Sequence, residues 1–120
     1  YNFLHSLPHG IDKLTNLEYL SASQNTLKSI PSNIVYLYPT LRTLVLNDNK
    51  LTQIQQKIGN LVNLEVLLLH HNMIVDVPSS LYRLRELTQL SLDWFSYLNS
   101  EYVGVHTKHL KAKVESEKCS

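Results

Sequence analysis

The sequence predicts an α/β solenoid, a right-handed superhelix with short parallel strands on its concave face and short helical turns on its convex face. One apolar phrase recurs from Leu17, Leu41, Leu64 and Leu87, at intervals of 24, 23 and 23 residues. A period in that range marks stacked units, each burying its apolar side only against its neighbours. Inside each phrase the pairs Leu20/Ala22, Leu44/Leu46, Leu67/Leu69 and Leu90/Leu92 alternate at period two, the signature of a strand. Between phrases, apolar spacing of three and four behind Pro8, Pro31 and Pro78 marks a helical turn.

In chain order, the first return limb is Leu7-Pro8-x-x-Ile11-x-x-Leu14, and it leads into the phrase Leu17-x-x-Leu20-x-Ala22-x-x-Asn25-x-Leu27. The second pair is Ile30-Pro31-x-x-Ile34-x-x-Leu37 and Leu41-x-x-Leu44-x-Leu46-x-x-Asn49-x-Leu51. The third is Ile54-Gln55-x-x-Ile58-x-x-Leu61 and Leu64-x-x-Leu67-x-Leu69-x-x-Asn72-x-Ile74. The fourth is Val77-Pro78-x-x-Leu81-x-x-Leu84 and Leu87-x-x-Leu90-x-Leu92-x-x-Phe95-x-Tyr97. Proline is pre-set for a first helical position and lacks the donor that position would waste, so Gln55 in the third limb should loosen one turn without altering the fold. Asn25, Asn49 and Asn72 fall where the chain leaves the strand. Stacked amides there can satisfy turn donors and acceptors that water does not reach, which gives them a structural role.

The two phrases together resemble leucine-rich repeats, over about residues 3 to 98. The 23-residue spacing is similar to the intracellular subclass found in Ras-suppressor and Scribble-like proteins and in plant Ras-group-related repeats. The resemblance implies a horseshoe segment that binds other proteins in signalling or scaffolding complexes. It leaves the partner open, because one fold hosts many functions.

The last unit departs from the pattern. Phe95 replaces the asparagine, and Trp94, Phe95 and Tyr97 are expected to close the stack, or to anchor a partner. Residues 1–98 are therefore read as repeats and 99–120 as a charged tail. In that tail Val103, His106, Leu110 and Val114 suggest a weakly amphipathic helix that serves as cap or linker. His106-x-x-His109 has the spacing of half a zinc site, with Cys119 and Glu115 as further donors in principle, but without a second paired motif two solvated histidines are the simpler reading. No metal and no cofactor are assigned.

Composition narrows the function classes. A formal net charge of +1 lacks the concentrated basic field that phosphate backbones reward, so no nucleic-acid partner is expected. The single cysteine allows no internal disulfide, and neither a leader nor a long apolar run is present. A soluble, cytoplasmic setting with no membrane partner follows as the expectation. The chain opens in mid-repeat at Tyr1, which suggests a fragment whose open apolar edge allows self-association.

No nucleophile elbow, phosphate-cradling glycine loop or metalloprotease helix occurs, and three glycines are few. The reading is non-enzymatic, with no small-molecule substrate. The surface that remains is the outward lining of the sheet, whose columns run Tyr19/Thr43/Val66/Gln89, Ser21/Val45/Leu68/Ser91, Ser23/Asn47/His70/Asp93 and Gln24/Asp48/His71/Trp94. Val45, Val66 and Leu68 form an apolar centre, ringed by Tyr19, Asn47, Asp48, His70, His71, Gln89, Asp93 and Trp94. A protein contact usually has that composition. His70 and His71, near Asp48 and Asp93, also offer a pH-sensitive contact. The leading expectation is a protein-docking domain. The alternatives are a regulatory or targeting segment of a larger enzyme, or an extracellular receptor fragment.

Overall fold

The computed structural model describes residues 4–75 and 77–93. Within them four three-residue strands, β1 (Tyr19–Ser21), β2 (Thr43–Val45), β3 (Val66–Leu68) and β4 (Gln89–Ser91), form one parallel sheet in sequence order. The register runs straight across the rungs: Tyr19, Thr43, Val66 and Gln89 are aligned, then Leu20, Leu44, Leu67 and Leu90, then Ser21, Val45, Leu68 and Ser91. These are the columns that the repeat spacing predicts, so the architecture is the expected leucine-rich-repeat solenoid.

The return limbs are 3-10 helices, His9–Lys13, Ser32–Leu37, Gln56–Asn60 and Ser79–Arg83. With three residues per turn, Ile11 and Leu14, or Ile58 and Leu61, lie one above the other on the same side of the helix. Each proline sits one place earlier than expected, in extended backbone just ahead of the helix, and its carbonyl accepts the first turn's bond from Ile11, Ile34 or Leu81. Gln55 takes the same backbone conformation (φ −70°, ψ 151°), and its side-chain amide donates to the Ile30 carbonyl of the preceding rung. The third turn thus keeps the geometry of the others and gains a tie that proline lacks.

The extra residue of the 24-residue unit is absorbed at the end of its helix. The Ser32–Leu37 helix is six residues long where the others have five, and Tyr38 continues in helical geometry (φ −56°, ψ −33°). Leu41 then donates back to the Leu37 carbonyl, an α-type bond that returns the chain to the strand in register. The insertion costs the sheet nothing.

Leucines and isoleucines from strands, turns and helices fill one continuous core, with Leu44, Leu46, Leu61, Leu64 and Leu67 wholly buried. The first rung differs. Leu14 is 51% exposed, whereas its equivalents Leu37, Leu61 and Leu84 are at most 1% exposed.

Candidate functional site

The candidate site is the concave sheet with its two edges, and the turn after each strand builds one of them. Gln24, Asp48 and His71 take left-handed backbone (φ 58°, 60° and 57°) at the same place in three rungs. That conformation costs a side-chain-bearing residue on the order of 1 kcal/mol, so something must hold it. Asparagine does so. Asn49 Oδ1 accepts from Leu27 N at 3.0 Å, while its Nδ2 donates to Ala22 O at 2.9 Å and Leu46 O at 3.1 Å. Asn72 repeats the arrangement with Leu51 N, Leu46 O and Leu69 O, each at 3.0 Å, and Asn25 takes Leu4 N, Ala22 O and Ser23 O. The structural reading of this column is what the geometry displays: each amide ties its own turn to the rung before it.

Asp93 has a role that its sequence position did not disclose. Gln24 N and Asp48 N donate to carbonyls of the next rung, Asn47 and His70. His71 N instead donates to Asp93 Oδ1 at 2.9 Å, and Asn72 N to Asp93 Oδ2 at 3.2 Å. The carboxylate therefore clamps the third turn with both of its oxygens.

Along this exit edge the polar side chains converge. Asn47 Nδ2 donates to Asp48 Oδ2 at 2.6 Å, His71 Nδ1 lies 3.0 Å from Asp48 Oδ1, and His70 Nδ1 is hydrogen-bonded to Ser91 Oγ. The two imidazoles meet edge to face, with ring centroids 4.9 Å apart. Burial pushes the Asp48 carboxyl up, but the Asn47 amide and the His71 and His70 imidazoles outweigh it and hold the group below its usual range. Among the described residues, Asp48, His70 and His71 form a group whose donors could hold a cation, one ligand atom from each lying within 4.8 Å of the others.

The middle of the face is apolar, though less open than its sequence suggests. Val45, Val66 and Leu68 are half-buried, because Val45 and Leu68 are register partners and Val66 is flanked by Thr43 and Gln89. Tyr19 is 61% exposed and Gln89 is exposed, while Ser91 is buried at the edge. Trp94, the proposed cap residues Phe95 and Tyr97, and the 99–120 tail with His106, His109 and Cys119 lie outside the described residues.

The entry edge carries charges that the column reading passed over. Arg42 Nη1 pairs with Glu65 Oε2 at 2.8 Å, and Arg42 Nε lies 3.9 Å from Glu18 Oε1. Both pairs are exposed and contribute little stability. Their signal in the sequence is one further column, Glu18/Arg42/Glu65/Thr88, immediately before the strands. Large exposed side chains also occur away from the sheet, among them Tyr36 and Tyr82 on the 3-10 helices.

Comparison with known proteins agrees with this architecture. The family model described as Leucine rich repeat matches residues 39–94. The volume-regulated anion channel subunit LRRC8A of Homo sapiens is 38% identical over 85 residues, which cover 70% of this chain and 10% of the channel subunit. The plant intracellular Ras-group-related LRR protein 7 of Oryza sativa is 40% identical over 59 residues, covering 49% of this chain and 22% of that protein. Among solved structures, the Toll–Spatzle complex of Drosophila superposes with a TM-score of 0.69 and 30% identity over 78% of this chain and 13% of the matched one. The chain thus spans about a tenth of the channel subunit and less than a quarter of the other two. No helix among the described residues is long and apolar enough to cross a membrane. Repeat spacing, straight strand register and these matches make the fold of this chain a leucine-rich-repeat solenoid.

Proposed function

We propose that this chain is a non-catalytic interaction domain that docks a protein partner on its concave sheet, within an intracellular signalling or scaffolding complex. The observation that carries the reading is the register. It sets Tyr19 and Val66 in one column and Val45 and Leu68 in the next, between a charged entry edge at Glu18, Arg42 and Glu65 and a polar exit edge at Asp48, His70 and His71. An apolar strip supplies affinity, and charged borders fix orientation and reject wrong partners. The Toll–Spatzle structure, a protein complex by its title, supports a protein as the class of ligand. The 23-residue period and the intracellular rice relative support the subclass and the setting.

The test compares wild type with Tyr19→Ala and with the pair Val66→Asp and Leu68→Asp in affinity capture from lysate, with circular dichroism to confirm the fold. Loss of the captured proteins in both variants is expected. Unchanged capture by correctly folded variants moves the site to another face, where Tyr36 and Tyr82 are the next anchors to replace.

A second reading has its own support. The relatives are several times longer than the matched segment, which suits a regulatory or targeting portion of a larger protein, an enzyme included. The sequence of the full-length transcript distinguishes the two.

A further inference from the structure

We infer that the exit edge of the concave sheet is a divalent transition-metal site of the zinc class, with Asp48, His70 and His71 as its three protein ligands. Adjacent residues of a regular strand point to opposite faces. The left-handed backbone of His71 (φ 57°) breaks that alternation and brings both imidazoles onto one rim, 4.9 Å apart and nearly perpendicular at 79°. Asp48 reaches the same point from the preceding rung. One ligand atom from each of the three lies within 4.8 Å of the others.

One donor separation already fits an ion of this kind. Two donors at tetrahedral angles on a zinc ion stand about 3.3 Å apart, since each bond is close to 2.0 Å. His71 Nδ1 and Asp48 Oδ1 are already 3.0 Å apart, so the metal takes the place of the shared proton. His71 is exposed and the other two are partly exposed, so small side-chain rotations bring the third donor inward.

Neighbouring groups orient the ligands as outer partners do in metal sites. Ser91 Oγ engages His70 Nδ1 and leaves Nε2 as the free donor. Asn47 engages Asp48 Oδ2 and leaves Oδ1, while Asp93 holds the backbone of the His71 turn through its N–H groups. A two-imidazole, one-carboxylate set is suited to zinc among the common divalent ions, and it leaves a fourth position for water or for a side chain of a docked protein. The inference goes beyond the docking reading and is tested without any partner.

The experiment titrates Zn²⁺ into the full 120-residue chain by isothermal calorimetry, alongside Asp48→Asn, His70→Gln, His71→Gln and a His9→Gln control. Binding of one equivalent is expected, weakened at least about tenfold by each of the three rim substitutions and unchanged by the control. Circular dichroism confirms that each variant is folded. Three results overturn the site: no binding by wild type, wild-type affinity in any of the three rim variants, or binding lost on replacing His106 and His109 while the rim variants bind normally.

Discussion

Asn49 explains why a polar side chain is retained at a rung that is otherwise hydrocarbon. Its amide satisfies the Leu27 N–H and the Ala22 and Leu46 carbonyls, all of them away from water, and joins two rungs while doing so. Truncation to alanine leaves the Leu27 N–H without its partner, while the Ala22 and Leu46 carbonyls keep Asn25 and Asn72 as donors, and a buried orphan costs about 1–3 kcal/mol. Asn49→Ala is therefore expected to lower stability by roughly 1–3 kcal/mol in urea denaturation, with the midpoint falling and the slope unchanged. A loss under about 0.5 kcal/mol would show that water replaces the amide. The asparagine column is legible in the sequence because it recurs at the repeat period, and recurrence separates a structural demand from accident. Asp93 had no such signal. Its clamp on His71 N and Asn72 N occurs once, where a side-chain carboxylate takes over from the carbonyl that serves the two earlier turns.

Packing between return limbs is set by the closest approach of neighbouring helices. At Gly59, in the Gln56–Asn60 helix, an added Cβ falls 2.6 Å from the Ser80 carbonyl oxygen and 2.8 Å from Ser80 Cβ. The obstacle is mainly backbone, so it cannot rotate away. Gly59→Ala is expected to force the Gln56–Asn60 and Ser79–Arg83 helices apart and to cost about 1–3 kcal/mol, the usual penalty for overpacking. Gly10→Ala is the control, since no atom lies within 4 Å of a Cβ there. Thermal melts that place the two variants together would mean that the third and fourth rungs adjust without strain. From sequence alone the helical limbs are legible through their spacing of three and four, but this contact is not. The equivalents of Gly59 are Asp12, Val35 and Tyr82, and only the three-dimensional approach of Ser80 singles the glycine out. The extra residue near Tyr38 follows the same rule: the spacing announces it, and packing decides that a helical turn absorbs it while the strand register stays intact.

Stacking holds the described rungs together, and in the 120-residue chain taken by itself it leaves one face uncovered. Each interior rung is covered on both faces, whereas the first presents Leu14 at 51% exposure, a half-exposed Leu4, and partly buried Leu17 and Leu20. Beside them β1 pairs only with β2 among the described residues, so one strand edge there is unmatched. An apolar rung with an open strand edge invites another surface of the same kind, and for this chain by itself the available surface is a second copy. The edge is only three residues long, so association should be weak and steep in concentration. Sedimentation velocity on the 120-residue chain is expected to show monomers at low concentration and dimers as it rises. Leu14→Glu places a charge in the middle of that face, where burial without a partner is costly, and should restore the monomer throughout while leaving the circular dichroism spectrum unchanged. Wild type that stays monomeric at high concentration, or dimers that survive Leu14→Glu, would mean that the first rung is stable facing water and that any self-association runs through another surface.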